Sequence, residues 1–427
     1  MAMRRSADRS GFPAVTIDAT ALRDNLAVVR RLAPRSRIVA VVKANAYGHG
    51  LVPVARVFAG ADPHGAGDEA GQGVGHEVDP GVGQGVDRSA GQGAGRGVTQ
   101  DVTLGVARLE EALALREAGI AAPILLLEGV FSAAQLQCAA RHRVEIVVHS
   151  GEQIHMLEQF TGAYRFTAWL KLDTGMNRLG FRVGELAAAR TRLSGCAAVA
   201  GMRLMTHLAC ADEPDSALTR AQIETFGAVV DALGGDALGL DEPGAGAPGA
   251  GASRLERSIA NSAGLIAWPQ TRLEWVRPGL MLYGLSPLAG RSAATLGLRP
   301  AMTLSTRLIA LHRLAAGETV GYGAIWRAPQ PVSIGIAAIG YGDGYPRGMR
   351  NGAPVRVDGH EARIVGRVSM DMCAIDVTSV PGVHIGSAVT LWGEGLPAEQ
   401  VAPHADTITY ELVCRITERV KRQWQGI

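Results

Sequence analysis

The sequence lacks the features that mark several large classes of protein. Its 427 residues contain no apolar stretch that approaches the roughly 20 residues of a membrane span. Aromatic residues make up only 5%, and the formal net charge of +2 comes without a long basic stripe, so we expect neither a membrane nor a nucleic acid as partner. Apolar residues, at 47%, suffice for one or two globular cores.

Cysteine is scarce and scattered. The five cysteines have no CxxC spacing, which argues against a disulfide framework and against a zinc knuckle; they are Cys138, Cys196, Cys210, Cys373 and Cys414. No set of His, Cys, Asp and Glu has metal-ligand spacing, so we expect no metal. The pair Arg4-Arg5 is not followed by the apolar segment of an export signal. These observations together predict a cytoplasmic protein.

Two stretches are rich in glycine and have neither helical nor strand periodicity. Residues 61–100 hold 12 glycines in 40 positions, and residues 241–252 read DEPGAGAPGAGA. Such segments bury too little apolar surface to offset their chain entropy. We interpret both as disordered surface insertions, and the G-x-G matches in the first as a by-product of composition.

Between these stretches, apolar strands alternate with helical patterns. Asp18 is a candidate N-cap before a helical stripe of Leu22, Leu26 and Val29. Eight short strands are predicted, at 38–42, 104–107, 123–127, 144–148, 168–172, 202–206, 258–260 and 275–276. Eight β-then-α units favour an α/β fold with a (β/α)8 TIM barrel over residues 13–297. A doubly wound open sheet has the same local pattern and is the alternative.

The length and composition of the predicted segments change after residue 297. Segments become short, rich in Val, Ile and Thr, and are separated by Gly and Pro, which predicts a mostly β C-terminal domain over 298–427. The predicted strands are 332–339, 355–357, 364–368 and 388–392. The stretch 409–421 fits either a short helix or an extended tail.

Polar residues cluster where the predicted barrel strands end, and barrel enzymes place their sites there. Lys43 follows five apolar residues, where loss of solvation would favour the neutral amine that attacks an aldehyde. The alternative is a lysine that leaves the barrel rim for solvent. Small turns at Ser262–Gly264 and Gly279-Leu280 suit a phosphate, or are ordinary tight turns. Arg277 and His207 end neighbouring strands, where they could face a ligand or form structural contacts.

A series of motifs closely resembles those of the alanine racemases. In family order they are AVVKANAYGHG at 40–50, KLDTGMNRLG at 171–180, THLACADE at 206–213, IANSAG at 259–264, VRPGLMLYG at 276–284, GYGAIW at 321–326, IGYGDGYPR at 339–347 and GRVSMDM at 366–372. The matches cover nearly all of the chain outside the glycine-rich stretches. The family's architecture, a barrel followed by a β domain, agrees with the order of strands and helices predicted above.

The resemblance implies a pyridoxal 5'-phosphate (PLP) enzyme that interconverts L- and D-alanine with two bases. Lys43 would carry the cofactor as a Schiff base and act as one base, and Tyr322 would be the other, from the partner subunit of a homodimer. The implied cofactor-binding residues are Lys43, Tyr47, His207, Asn261, Ser262, Arg277, Gly279 and Leu280. Those implied for the substrate are Arg178 and Met370, supported by Lys171, Asp371 and Tyr341, with Arg367, Asp212 and Arg347 along the approach to the site.

Two of the implied roles have physical consequences. An arginine opposite the pyridine nitrogen would leave that nitrogen largely unprotonated, because arginine keeps its own proton. A cationic pair of Arg277 and His207 would help Tyr322 to lose its proton. Lys171 would be carbamylated, as in some relatives, which would place an anion beside Arg178.

The sequence departs from the family pattern at two places. Some relatives have a phosphate-contacting tyrosine four residues after a cysteine near the C-terminus, and Glu418 occupies that position here. A carboxylate there would repel a phosphate. The glycine-rich stretch after the Lys43 motif is also foreign to the pattern.

Other functions on the same scaffold remain open at this point. One alternative is a racemase or decarboxylase that acts on another amino acid, such as serine, lysine or ornithine. A second is a PLP-binding homologue without enzymatic activity, although such carriers resemble only the first domain.

Overall fold

The computed structural model describes residues 12–60, 102–233 and 255–427. Both glycine-rich stretches that we interpret as insertions, 61–100 and 241–252, lie outside the described residues.

Eight parallel strands close into a barrel. They are β2 (Arg37–Val41), β3 (Val102–Val106), β4 (Ile124–Leu126), β5 (Val144–Val148), β6 (Phe166–Lys171), β7 (Val199–Met205), β8 (Glu256–Ser258) and β9 (Trp275–Val276). Each overlaps one of the eight predicted strands, so the barrel prediction is confirmed. The open-sheet alternative is wrong, because β9 pairs with β2 through Arg37 and Trp275 and leaves no free edge.

Helices accompany the strands of the barrel. They are α1 (Ala19–Leu32), α2 (Lys43–Tyr47), α3 (Leu51–Phe58), α4 (Leu109–Glu117), α5 (Ala133–Arg141), α6 (Gly151–Glu158), α7 (Val183–Ser194), α8 (Ala217–Ala232) and α9 (Ser262–Ala267). Asp18 caps α1 as predicted, since its side chain accepts a hydrogen bond from the Ala21 amide at 3.0 Å. None of the helices in the described ranges is long and apolar enough to cross a bilayer.

Large side chains fill the barrel toward the amino ends of its strands. The Arg203 guanidinium lies over the rings of Trp169 and Trp275, at 5.1 and 4.5 Å from their centroids. It also forms ion pairs with Glu145 at 2.7 Å and with Glu256 at 2.8 Å. This end is therefore occupied by protein, and the carboxyl ends of the strands remain as the place for a ligand.

The C-terminal region is mostly β, as predicted, and is built around an eight-stranded sheet. Its strand order is β13-β16-β15-β14-β17-β10-β1-β18, and a separate pair is formed by β11 and β12. The bounds are β1 (Ala14–Asp18), β10 (Met302–Leu314), β11 (Thr319–Val320), β12 (Trp326–Arg327), β13 (Val332–Ala337), β14 (Pro354–Val357), β15 (His360–Val365), β16 (Cys373–Asp376), β17 (Ala388–Trp392) and β18 (Lys421–Gln425). Two short helices, α10 (Ala398–Val401) and α11 (Thr409–Cys414), complete it.

Strand β1 lies in the range that we assigned to the barrel, yet it belongs to this sheet. It pairs antiparallel with β10 and parallel with β18, so the two ends of the described chain meet in neighbouring strands. Local patterns could not reveal this, because the partners are about 290 and 400 residues away along the chain. The stretch 409–421 contains the helix α11 and reaches the first residue of β18. The division of the chain at residues 297/298 stays a prediction.

Candidate active site

Four cationic side chains converge at the carboxyl ends of the barrel strands. Lys43 follows β2, Lys171 is the last residue of β6, Arg178 lies in the loop after β6, and Arg277 follows β9. The charges of the other three all act on Lys171, and all four act on His207. The predicted cluster of amine, imidazole and guanidinium groups is thus present at one barrel mouth.

Arg277 is the most firmly held of these groups. Its buried guanidinium donates hydrogen bonds to the hydroxyl of Ser258, to the Thr206 carbonyl at 2.5 Å and to the Ile259 carbonyl at 3.1 Å. Burial lowers the pKa of Arg277 to about 9, so it remains a cation at neutral pH. These contacts fix the direction of its guanidinium, which carries a positive charge at the barrel mouth.

His207 lies against Arg277, with its Nδ1 3.5 Å from the guanidinium. Burial, and next the charge of Arg277, hold the pKa of His207 well below its usual value. The predicted pair of Arg277 and His207 is therefore present, and its positive charge lies on the arginine, since the low pKa of His207 keeps its imidazole neutral.

Lys171 is buried beside the same cations. Loss of solvation, followed by the charges of Arg277, Arg178 and Lys43, lowers the pKa of Lys171 to about 8, and Asp173 opposes this shift. A substantial fraction of its amine is then neutral near physiological pH, which makes it a nucleophile.

The chain after Lys43 winds in the left-handed sense. Ala44, Asn45, Ala46 and Tyr47 all have φ between 52° and 54°, a region that costs an L-residue roughly 1–2 kcal/mol each. External contacts hold the turn, because the Ala44 amide donates to Glu111 at 2.7 Å and the Asn45 side chain accepts from the Leu51 amide at 2.8 Å. Strain of this kind, retained next to a reactive lysine, is typical of functional sites.

The left-handed turn places the Tyr47 side chain against the backbone of Gly279. A methyl group added at Gly279 would lie 2.4 Å from the Tyr47 hydroxyl oxygen, so only glycine allows this approach. Burial raises the pKa of Tyr47 well above its usual value, which keeps the phenol protonated and able to donate a hydrogen bond. Its ring also stacks on Tyr283, with centroids 4.7 Å apart.

Ser262 completes this corner of the mouth. Its hydroxyl oxygen accepts hydrogen bonds from the amides of Gly279 at 2.9 Å and Met281 at 3.3 Å, so its own proton is left to donate elsewhere. Asn261 caps α9 by accepting from the Gly264 amide at 2.8 Å, and the buried Leu280 begins the next turn. Two hydroxyl donors beside a glycine that cannot carry a side chain fit a phosphate group.

Tyr410 adds an aromatic ring to this corner that the sequence did not lead us to expect. Its ring centroid lies 6.0 Å from that of Tyr47, and burial together with the charge of Asp212 raises the pKa of Tyr410 to about 12. It comes four residues before Cys414, whereas the expected tyrosine position, four residues after it, is the exposed Glu418. The contact could not be predicted, because the stretch 409–421 fits either a helix or an extended tail and only the helix α11 brings Tyr410 to Tyr47.

The remaining predicted residues other than Asp212 form a second group in the C-terminal region. Tyr322 lies on a short turn and is 69% exposed, and Met370 is 51% exposed. Tyr341 is also exposed, and its amide donates to the Ser369 carbonyl at 3.0 Å, while Asp371 accepts from Arg419 at 2.7 Å. Arg367 packs next to Gly321, and Arg347 is exposed. Asp212 is exposed too, but it lies in the loop after the barrel strand β7, where its charge acts on Tyr410. Within the described part of a single chain, no hydrogen bond or ion pair joins this group to Lys43.

Comparisons with known proteins match both halves of the chain to one family. The profile described as "Alanine racemase, N-terminal domain" matches residues 17–68 and 98–287, and "Alanine racemase, C-terminal domain" matches 301–424. The chain belongs to the alanine racemase family. The resemblance inferred from the motifs is thereby confirmed, and residues 69–97, inside the first glycine-rich stretch, fall outside the family match.

Individual alanine racemases are similar over almost the entire chain. The enzyme of Nitrosococcus oceani is 45% identical over 412 residues, which cover 96% of this chain and 99% of the relative. That of Shewanella denitrificans is 43% identical, with 96% and 98% coverage. The crystal structure of the biosynthetic alanine racemase from Pseudomonas aeruginosa is 39% identical, covers 97% of this chain and 99% of its own, and superposes with a TM-score of 0.79.

The racemase-like mouth depends on the contact between Tyr47 and Gly279, which a single methyl group would disrupt. Membership of the alanine racemase family implies PLP as the ligand of this mouth. We expect Gly279→Ala to weaken its binding about tenfold or more, because overpacking costs about 1–3 kcal/mol and 1.4 kcal/mol is a factor of ten. The dissociation constant can be measured by titrating PLP into apoenzyme and following its absorbance.

Gly348→Ala is the matched control, since a methyl group there meets nothing within 4 Å. Equal PLP affinity of the two variants would show that the Tyr47–Gly279 contact does not shape the cofactor site.

Proposed function

We propose that this chain interconverts L- and D-alanine with Lys43 and Tyr322 as its two bases and PLP as its cofactor. The observation that carries the proposal is the convergence of Lys43, the Tyr47–Ser262–Gly279 corner and the anchored Arg277 at one barrel mouth. When bound, PLP would supply an electron-withdrawing ring that makes the α-proton of the amino acid acidic.

Each part of the mouth has a place in this proposal. Tyr47, Ser262 and the backbone at Gly279 and Leu280 would hold the phosphate, with Asn261 fixing the turn that carries Ser262. Arg277 would face the pyridine nitrogen, and as a cation it would donate a hydrogen bond there without giving up its proton. The neutral His207 would lie between Arg277 and Tyr322 and accept from the arginine.

Racemisation requires proton transfer on both faces of the α-carbon, and one base cannot easily serve both. Lys43 lies at the barrel mouth, whereas Tyr322 is exposed on the C-terminal region. We therefore propose a homodimer in which the partner's copy of this tyrosine reaches the Lys43 mouth. The large apolar side chains left exposed around it support this, because such surfaces favour association; they include Ile325, Tyr341, Met370 and Met372.

The substrate carboxylate would be held by Arg178 and the Met370 backbone. Arg178 belongs to the cationic cluster, which attracts a carboxylate electrostatically. Tyr341, Asp371, Arg367, Asp212 and Arg347 would line the approach. Alanine is favoured over a larger amino acid by family membership, and a non-enzymatic PLP carrier is disfavoured because both family profiles match this chain.

The setting in the cell is part of the same proposal. The product, D-alanine, would supply cell-wall synthesis, or the reverse reaction would degrade it; the likeness to a biosynthetic racemase favours the first role. The five cysteines are all unpaired, which supports a cytoplasmic location.

Lys171 would act as a carbamate. Carbon dioxide adds to a neutral amine, which forms an N–C bond and releases one N–H proton to solvent, and the lowered pKa of Lys171 makes the neutral form available. The product would replace one of four crowded cations by an anion next to Arg178, which removes repulsion from the mouth.

We expect Lys171→Ala to lower kcat/KM for alanine by about tenfold or more, because Arg178 loses the anion that orients it. Added acetate should restore part of the activity by binding in the vacated space, and ¹³C NMR of protein exchanged with labelled bicarbonate should show a carbamate carbon that the variant lacks. Lys421→Ala, at an exposed lysine, is the control. Full activity of Lys171→Ala, together with no carbamate signal, would rule out this role.

A shared active site predicts recovery of activity between two defective subunits. Lys43→Ala and Tyr322→Phe homodimers should each have only a small fraction of wild-type racemase activity on L-alanine, as judged by chiral analysis of the product. Mixed dimers should regain roughly a quarter to a half of the wild-type activity, because one of their two mouths then contains both bases. No recovery in heterodimers verified by mass would contradict a tyrosine contributed across the interface.

A further inference from the structure

A second cavity lies between the barrel and the C-terminal sheet. Its volume is about 420 Å³, within the range of small-molecule sites. His49, Tyr283 and Leu285 line it on the barrel side, and Trp392 and Ala398 line it on the other. None of the described residues that we assign to the active site lines this cavity.

Two polar atoms of the lining are buried without a partner. His49 and Trp392 are 0% and 1% exposed, and neither His49 Nε2 nor Trp392 Nε1 has a hydrogen-bond partner in the described part of the chain. A buried polar atom left unpaired is unfavourable, so native proteins rarely keep two beside one cavity without something to bind them.

The hydrogen-bonding character of His49 follows from its other nitrogen. Nδ1 lies 3.1 Å from the Ala46 carbonyl and 2.9 Å from the Tyr47 carbonyl. Carbonyl oxygens only accept, so Nδ1 carries the proton. Burial lowers the pKa of His49 to about 4, and the ring is therefore neutral at pH 7. Nε2 consequently offers a lone pair and requires a donor.

Trp392 has the opposite requirement, because an indole N–H can only donate. Glu399 also lines the cavity, and one of its carboxylate oxygens accepts from the Ser286 amide at 2.8 Å. A carboxylate in the wall disfavours an anionic ligand. The occupant must therefore accept from Trp392, donate to His49 and carry no negative charge.

We propose that this cavity binds a neutral small molecule with an apolar body and a hydroxyl group. A hydroxyl group is suited to both atoms, because it can donate its proton to His49 Nε2 and can accept from the Trp392 N–H, while the apolar body fills the space along Leu285 and Ala398. Water alone would satisfy the two nitrogens but would find few partners along the rest of the lining, which is mostly apolar.

The wall of this cavity is also a wall of the Lys43 mouth. The Tyr283 ring stacks on Tyr47 on one side and lies 4.6 Å from the His49 ring on the other. The Tyr283 hydroxyl donates to the Val41 carbonyl at 2.9 Å, two residues before Lys43. An occupant of the cavity thus contacts the rings that support the phosphate corner.

Isothermal titration calorimetry on the PLP-loaded enzyme, with saturating alanine present, tests the proposal. The probes are benzyl alcohol, toluene and benzoate. We expect benzyl alcohol to bind saturably at one site per chain. Toluene should bind with an affinity at least about tenfold lower, because it makes neither hydrogen bond. Benzoate should bind more weakly than the alcohol because of Glu399.

Two variants that fill the cavity, Ala398→Leu and Ala293→Leu, provide the structural control. Both residues are buried in the lining, and each variant should lose benzyl alcohol binding, whereas Ala187→Leu on the exposed face of α7 should retain it. The proposal is overturned if benzyl alcohol gives no saturable heat, if toluene binds equally well, if benzoate binds more tightly, or if both filling variants bind as the wild type does.

Discussion

The concentration of four cationic side chains at the barrel mouth is the constraint on which the rest of the site depends. The charges of Lys43, Arg178 and Arg277 act on the buried Lys171, and all four charges act on the buried His207. Such a cluster is stable only if anions enter it or if some of its members give up their protons. The second solution is visible, because His207 is neutral and the pKa of Lys171 falls to about 8. The remaining positive charge makes the mouth electrostatically complementary to a phosphate and a carboxylate.

The left-handed turn after Lys43 is the second feature on which the site depends. It reverses the sense of the backbone just after the buried strand β2, and so places Tyr47 against Gly279, which follows the neighbouring strand β9. The unfavourable φ angles are offset by contacts from Glu111 and by the stacking of Tyr47 on Tyr283. The motif KANAYGHG thus specifies a backbone shape as well as a reactive amine, and the same segment carries His49 to the edge of the second cavity.

Sequence patterns sufficed for the barrel and its mouth because both depend on local signals. Each barrel strand is a short apolar run, and the carboxyl end of a parallel strand is the same end of the barrel for all eight, so Lys43, His207 and Arg277 could be grouped in advance. What could not be predicted depends on distant contacts or on charge. Strand β1 joins a sheet formed mainly after residue 301, Tyr410 meets Tyr47 only through α11, and the protonation of His207 is set by neighbours that are 29 to 164 residues away along the chain.

The identity of the lysine that binds the cofactor is the most direct test of this account. The chain contains only three lysines, Lys43, Lys171 and Lys421. The enzyme would be incubated with PLP, reduced with borohydride and digested, and the modified peptide identified by mass spectrometry. We expect the pyridoxyl group on Lys43 alone, with loss of the cofactor absorbance band in Lys43→Ala. A pyridoxyl group on Lys171 or Lys421 with Lys43 unmodified, or no modification of any lysine, would contradict the account.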